Sequence, residues 1–281
     1  MGTIYYERLK LKGAIMRIIR FLLFLSILFI ICFWLGGGHT IINTPAESLS
    51  TIVQDKLPST ESLSEKQTTL LDTWERSTRI INLPSAVNKK INKIDHYVTI
   101  DNIGLPLQQA IIAVEDNRFY SHSGFDIEAI LRASLVNLQF GQIEEGASTI
   151  TQQLIKNLFL TQEQTLGRKA EEFILAVDLE ARYPKDKILE LYLNTIYFGS
   201  GFYGIHDAAL GYFGKRPDEL TLAEATMLAG LPNAPSIYSP YVDFQAAKYR
   251  QAIVLETMQK AGYINQTILE NAKNEKIWLV Q

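Results

Sequence analysis

Between Arg20 and Glu47 the chain carries no Asp, Glu, Lys or Arg, and Phe21 to Leu35 reads FLLFLSILFIICFWL, with Ser26 and Cys32 its only mildly polar members. Extended by Ile18 and Ile19, with Arg20 snorkelling, and by Gly36 to Gly38, this run reaches the roughly 20 residues that a membrane-spanning helix requires. Residues 18–38 therefore read as a transmembrane signal-anchor helix. A cleaved secretory signal shares the basic start and the apolar middle. The run is longer than a usual signal core, however, and Gly36-Gly-Gly-His39 offers no clear small-x-small cleavage site. Before the run, Arg8, Lys10, Lys12, Arg17 and Arg20 stand against Glu7 alone. Positive residues stay on the cytoplasmic side, so residues 1–17 read as a cytoplasmic basic tail and the bulk of the chain lies outside the cytoplasm.

That bulk is long enough for one sizeable core, since 47% of the 281 residues are hydrophobic. With 17 Gly, 9 Pro and no charged low-complexity block, disorder and collagen are excluded. A net charge of −3 leaves no electrostatic footprint for nucleic acid. Cys32 is the single cysteine, which excludes an internal disulfide and a cysteine-based zinc site.

Residues 39–97 are polar, rich in Ser and Thr and broken by Pro45, Pro58 and Pro84, and read as a stalk or irregular N-terminal arm. Helical signals dominate afterwards. Leu107, Ile111 and Val114 share one face, and Ile127, Ile130, Leu131, Leu135 and Leu138 form an apolar stripe behind an Asp126 cap. Leu166, Ala170, Phe173 and Val177 predict the packed face of another helix. Thr221-Leu-Ala-Glu224 is a capping box opening a helix that stops at Gly230, and Phe244 to Ala261 predicts a final helix closed by Gly262. Only His96–Ile100 suggests a short strand. The fold class is mainly α.

Four polar stretches interrupt the core-forming runs. In Glu115-Asp-Asn-Arg-Phe-Tyr-Ser-His122-Ser-Gly124 a carboxylate pair ends an apolar helix, where a half-buried acid acquires the raised pKa of a general base; capping or ion pairing explains the pair equally well. His122 fits a turn-stabilising role. In Gly146-Ala-Ser-Thr-Ile-Thr-Gln-Gln153-Leu-Ile-Lys156-Asn157, Ser148 predicts an N-cap, and the helix start that follows suits a phosphate or sugar hydroxyls as well as it suits a plain capped helix. Arg168 and Glu172 are spaced i, i+4, which by itself supports only the helix. In Tyr192-Leu-Asn194-Thr-Ile-Tyr-Phe-Gly199-Ser-Gly201-Phe-Tyr-Gly204-Ile, glycines interleaved with aromatics suit a saccharide groove or a tight packing turn. Two carboxylates, Glu115 and Glu172, beside three cations, Lys156, Arg168 and Lys169, favour a sugar diphosphate over a plain glycan. The residues alone do not choose the reaction.

In this order the stretches resemble the signature motifs of the peptidoglycan glycosyltransferases, glycosyltransferase family 51. The first is similar to E-D-x-x-F-x-x-H-x-G at Glu115, Asp116, Phe119, His122 and Gly124. The second is similar to G-G-S-T-I-T-Q-Q, with Ala147 in place of the second glycine, a change that stiffens the loop. R-K-x-x-E falls on Arg168, Lys169 and Glu172, the long fourth motif on Tyr192 to Ile205, and a fifth block on Leu228 to Ser236.

The resemblance implies a lysozyme-like, two-lobed glycosyltransferase domain over residues 98–262, with 263–281 as a C-terminal extension. It implies polymerisation of lipid II into β-1,4-linked glycan strands with release of undecaprenyl diphosphate. Glu115 would be the general base, supported by Asp116, and Glu172 the second catalytic acid on the donor side. Ser148, Thr149, Gln152, Gln153, Lys156, Asn157, Arg168 and Lys169 would bind substrate. No residue is assigned as a metal ligand; Mg²⁺ or Mn²⁺ is the one cofactor the resemblance allows, and no organic cofactor is implied. Implied partners are lipid II, the growing strand, the membrane and other cell-wall synthesis proteins, with no nucleic acid. The implied location is the bacterial cytoplasmic (inner) membrane, single-pass, with the catalytic domain on the periplasmic or extracellular side. Neither Ser-x-x-Lys nor Lys-Thr-Gly occurs in the chain, so a monofunctional enzyme without a transpeptidase domain is expected. Two rivals remain: a lytic enzyme of lysozyme-like fold, and an anchored scaffold that binds glycan without turnover.

Overall fold

The local signals at helix starts are realised in hydrogen bonds. Thr221 Oγ1 accepts from the Glu224 N–H while the Glu224 carboxylate accepts from the Thr221 N–H, the capping box read from the sequence. Asp126 caps its helix through the Ala129 N–H at 2.9 Å. The computed structural model describes residues 79, 82–140, 147–160 and 165–280. These lie within the compact unit Thr73–Gln281. The basic tail and the expected membrane helix at 18–38 lie outside the described residues; among those described, no helix is long and apolar enough to cross a membrane.

Eleven α-helices are described: α1 (Leu83–Ile91), α2 (Leu105–Glu115), α3 (Ile127–Phe140), α4 (Ile150–Phe159), α5 (Leu166–Arg182), α6 (Lys185–Thr195), α7 (Ile205–Phe213), α8 (Leu222–Gly230), α9 (Pro235–Tyr238), α10 (Phe244–Lys260) and α11 (Gln266–Asn274). Helices α2, α8 and α10 pack on one another, and α4 packs on α5 and α6. Small residues on α8, among them Ala223, Ala225, Ala229 and Gly230, are buried and let its neighbours approach closely. One continuous apolar core joins the two groups, from Leu107 and Ile111 through Leu154 and Leu191 to Leu228 and Val254.

Several expectations are corrected. The segment His96–Ile100 forms no strand; the only β-pairing among the described residues is an isolated Tyr197–Tyr203 bridge. Val98 is held extended by a side chain, since Asn194 Oδ1 accepts from its N–H at 2.8 Å and Asn194 Nδ2 donates to its carbonyl at 2.7 Å. The amide imitates the neighbouring strand that the period-2 pattern would have required.

The folded domain also extends beyond 98–262. Leu83 and Val87 of α1 are fully buried in the core, inside the stretch read as stalk, because two apolar positions one turn apart suffice when the helix docks on α5. At the other end α11 buries Leu269 and Ala272, and the Val280 N–H donates to the Tyr212 carbonyl. The predicted final helix is therefore followed by another.

Helix α3 forms as predicted, but its stripe is not core: Ile127, Ile130, Leu131 and Leu135 are 40–69% exposed. Helix α5 likewise exposes Phe173 and Val177 and buries Glu172, Leu175, Ala176 and Leu179. The pattern excluded Glu172 because it is charged, whereas two neighbouring cations compensate its burial.

Candidate active site

Glu115 is the last residue of α2, and burial pushes its carboxyl up from the ordinary range against the opposing pull of Gln153, Arg250 and Lys156; Asp116 adds to the rise. Gln153 on α4 donates through Nε2 to Glu115 Oε2 at 2.7 Å, and its own carbonyl accepts from the Tyr192 hydroxyl at 3.0 Å. Tyr192 is fully buried on α6, and its phenol is pushed far upward by burial and by the charges of Glu115 and Asp116. It therefore remains a neutral O–H donor. The relay Tyr192–Gln153–Glu115 fixes one carboxylate oxygen, while Glu115 as a whole stays partly accessible.

Asp116 is turned inward. His122 Nε2 lies 2.9 and 3.0 Å from its two oxygens, and the Ile150 N–H at the start of α4 donates to it at 3.0 Å. It thus ties the end of α2 to the helix that carries Gln153 and Lys156. His122 is a buried clamp, in keeping with the turn-stabilising alternative.

The N-cap of α4 is Thr149, not Ser148, because only Thr149 Oγ1 accepts from the Gln152 N–H; Gln152 returns the bond in a full capping box. Thr149 and Gln152 are buried, and the Thr149 hydroxyl donates to the Gly124 carbonyl at 2.8 Å. Ser148 is exposed. Gly124 has φ +90°, and a Cβ there would come within 2.9 Å of the Ala176 carbonyl on α5. We expect Gly124→Ala to destabilise the domain by about 1–3 kcal/mol, measured by chemical denaturation. An unchanged midpoint would mean that the turn tolerates the added carbon.

Glu172 forms the second acidic centre, 2% exposed, with Arg168 Nη1 at 2.9 Å from one oxygen and Lys169 Nζ bonded to the other. The buried Nε of Arg168 finds no acceptor among the described residues. Glu172 thus gathers cations and leaves one guanidinium donor unspent. Asn157 is exposed and lines a cavity with Lys90, Lys93, His96, Asn194 and Tyr203, none of them an acid of the site. Sequence reasoning missed Arg250, whose charge reaches Glu115 from α10; Gly230 makes this possible, since a Cβ there would strike Arg250 Cγ at 2.7 Å. No local signal marks a lone arginine on a packing helix.

A resident Mg²⁺ or Mn²⁺ seeks several free oxygen ligands. Here both oxygens of Asp116 and of Glu172 are engaged, one of Glu115 is held by Gln153, and these acids do not gather into a three-ligand group among the described residues. The acids do not fit a cage for such an ion.

A largely buried but partly accessible acid of raised pKa, held in a relay and set among cations, is the equipment of a proton acceptor working beside an anionic group. The chain matches the transglycosylase family over residues 85–259 and belongs to it, which places it among the peptidoglycan glycosyltransferases of glycosyltransferase family 51. Among curated proteins it is 49% identical over 181 residues to penicillin-binding protein 1A of Aquifex aeolicus, covering 64% of this chain and 25% of that protein. It is 40% identical over 248 residues to penicillin-binding protein 1A of Neisseria flavescens, covering 88% and 30%. The chain thus spans 25–30% of the length of these relatives. The crystal structure of penicillin-binding protein 1A from Haemophilus influenzae aligns with 66% of this chain and 18% of that one, at 24% identity and a TM-score of 0.40.

Proposed function

We propose that the chain polymerises lipid II into β-1,4-linked glycan with release of undecaprenyl diphosphate. The observation that carries this is Glu115, a partly accessible carboxyl of raised pKa oriented by Gln153 and faced by Lys156 and Arg250. In its ionised form Glu115 takes the proton of the acceptor 4-hydroxyl as that oxygen attacks the anomeric carbon. The bond from that carbon to the diphosphate oxygen breaks, and the α-linked donor inverts to a β product. Diphosphate is a weak base and needs no strong general acid; Lys156, Lys169 and Arg168 stabilise its growing charge. Glu172 acts by holding Arg168 and Lys169 in place, Asp116 by holding α2 against α4, and Thr149 and Gln152 by capping α4; the exposed Ser148 belongs to the proposed donor surface, while Asn157 lies on a separate cavity and is left out of it.

A lipid-linked donor also accounts for the membrane anchor read at 18–38, and we place the catalytic domain on the outer side of the cytoplasmic membrane, in a two-lobed, lysozyme-like arrangement. The exposed apolar residues of α3 and α5 support a position close to lipid.

Incubation of the detergent-solubilised full chain with labelled lipid II, followed by gel separation, tests the proposal. A ladder digestible by lysozyme is expected. Shortening of mature glycan without consumption of lipid II would replace the proposal with a lytic activity.

Lys156→Ala should lower kcat/KM by about 100-fold, the lower end of what one charge-stabilising donor supplies. Because the Lys156 charge holds the Glu115 pKa down, its loss should also move the acid limb of the pH–rate profile to higher pH. A fall in rate with no movement of that limb would separate Lys156 from Glu115.

A further inference from the structure

Outside the acid cluster, His96 precedes the extended Val98 segment, and His206 and Asp207 lie in the first turn of α7. Nδ1 of His96 lies 3.2 Å and Nδ1 of His206 3.0 Å from the same oxygen, Asp207 Oδ1. The two imidazole centroids are 4.4 Å apart with the rings tilted by 32°. One ligand atom from each of the three residues falls within 4.8 Å of the others.

Ligand atoms bound at about 2.0–2.1 Å to a tetrahedral zinc ion stand about 3.3 Å from one another. The separations of 3.2 and 3.0 Å are close to that length, so donors from two distant parts of the chain, His96 and the adjacent His206 and Asp207, are drawn to one point. The geometry points to a binding site for a single divalent transition-metal ion of the Zn²⁺ or Co²⁺ class, held by His96, His206 and Asp207 with a fourth position open.

Two imidazoles and one carboxylate select this class of metal over Mg²⁺, which demands oxygen ligands. The side chains are 60%, 33% and 47% exposed, so an ion can enter and its fourth position can hold water or an outside ligand. His96 and Asp207 also line a cavity of about 390 Å³ with Lys90, Lys93 and Asp95. The two lysines and the positive end of α7 oppose a cation there. Affinity must therefore come from coordination by nitrogen rather than from the local charge. The bound ion would pin the segment before Val98 to α7, and through Asn194 to α6.

The test uses the full chain, detergent-solubilised and stripped of metal, titrated with Co²⁺ and back-titrated with Zn²⁺. One equivalent of Co²⁺ with strong tetrahedral ligand-field bands, displaced by Zn²⁺ and indifferent to Mg²⁺, is expected. Removing a ligand costs at least what removing a second-shell partner does, so His206→Ala and Asp207→Asn should each weaken binding by about 10–100-fold or more. His39→Ala should leave it unchanged. Zn²⁺ should raise Tm in the unmutated protein and not in His206→Ala. If the unmutated protein binds no stoichiometric Co²⁺, or if both site variants keep its affinity and spectrum, the cluster is a hydrogen-bonded pair of imidazoles on a carboxylate and the metal site is overturned.

Discussion

Glu115→Gln is expected to lower the rate of glycan polymerisation by about 10²–10⁴-fold, the contribution of a positioned general base. The variant keeps the shape of the side chain, and its amide oxygen can still accept from Gln153, so folding and donor binding should be preserved. Stability supplies a second readout with a definite sign. The folded state holds the Glu115 proton more tightly than the unfolded chain, because burial raises its pKa. The stabilising effect of that proton is fully present below the unfolded pKa and is lost as pH rises through the folded one. Glu115→Gln has no such loss, so its Tm should match or exceed that of the unmutated protein near neutral pH. The unmutated enzyme should lose activity at acid pH with a midpoint above the ordinary carboxylate range. A variant retaining more than a few per cent of the normal rate would sink the role of Glu115 as base, whatever its stability.

Asp116→Ala is expected to be the most destabilising single change in the site, by about 1–3 kcal/mol for each of the two buried partners that it strands. The His122 Nε2 and the Ile150 N–H would both lose their acceptor in a region where Asp116 is 7% exposed and water cannot easily replace it. Asp116→Asn keeps one acceptor oxygen and should cost less. Since Asp116 joins α2 to α4, the same change should also loosen Glu115 from Gln153 and depress kcat more than it raises KM. Chemical denaturation and initial rates on the two variants check both effects. If Asp116→Ala unfolds at the same denaturant concentration as the parent, the clamp is not what holds these helices together.

Glu115, Asp116 and Gln153 were all legible as polar residues in core-forming surroundings, and their order along the chain carried a family resemblance. The use each is put to was not legible. Consecutive residues at a helix end point in different directions, so Glu115 remains partly accessible while Asp116 is turned inward to a histidine and a backbone N–H. Helix periodicity located α3 and α5 but could not say which stripe is covered. Periodicity is a property of one element, and burial is a property of two.

Sequence by itself determined what depends on residues close along the chain. The capping box at Thr221, the Asp126 cap, the stop at Gly230 and the Arg168–Glu172 pair are interactions within a turn or two, and each appears where the spacing put it. Tertiary structure alone decided what depends on residues far apart. Asn194 stands in for a strand beside Val98, α1 and α11 enter the domain, Arg250 reaches Glu115 across the room Gly230 leaves, and His96 meets His206 and Asp207. In each case the deciding energy is that of a partner on another element of the fold, and no local pattern records it.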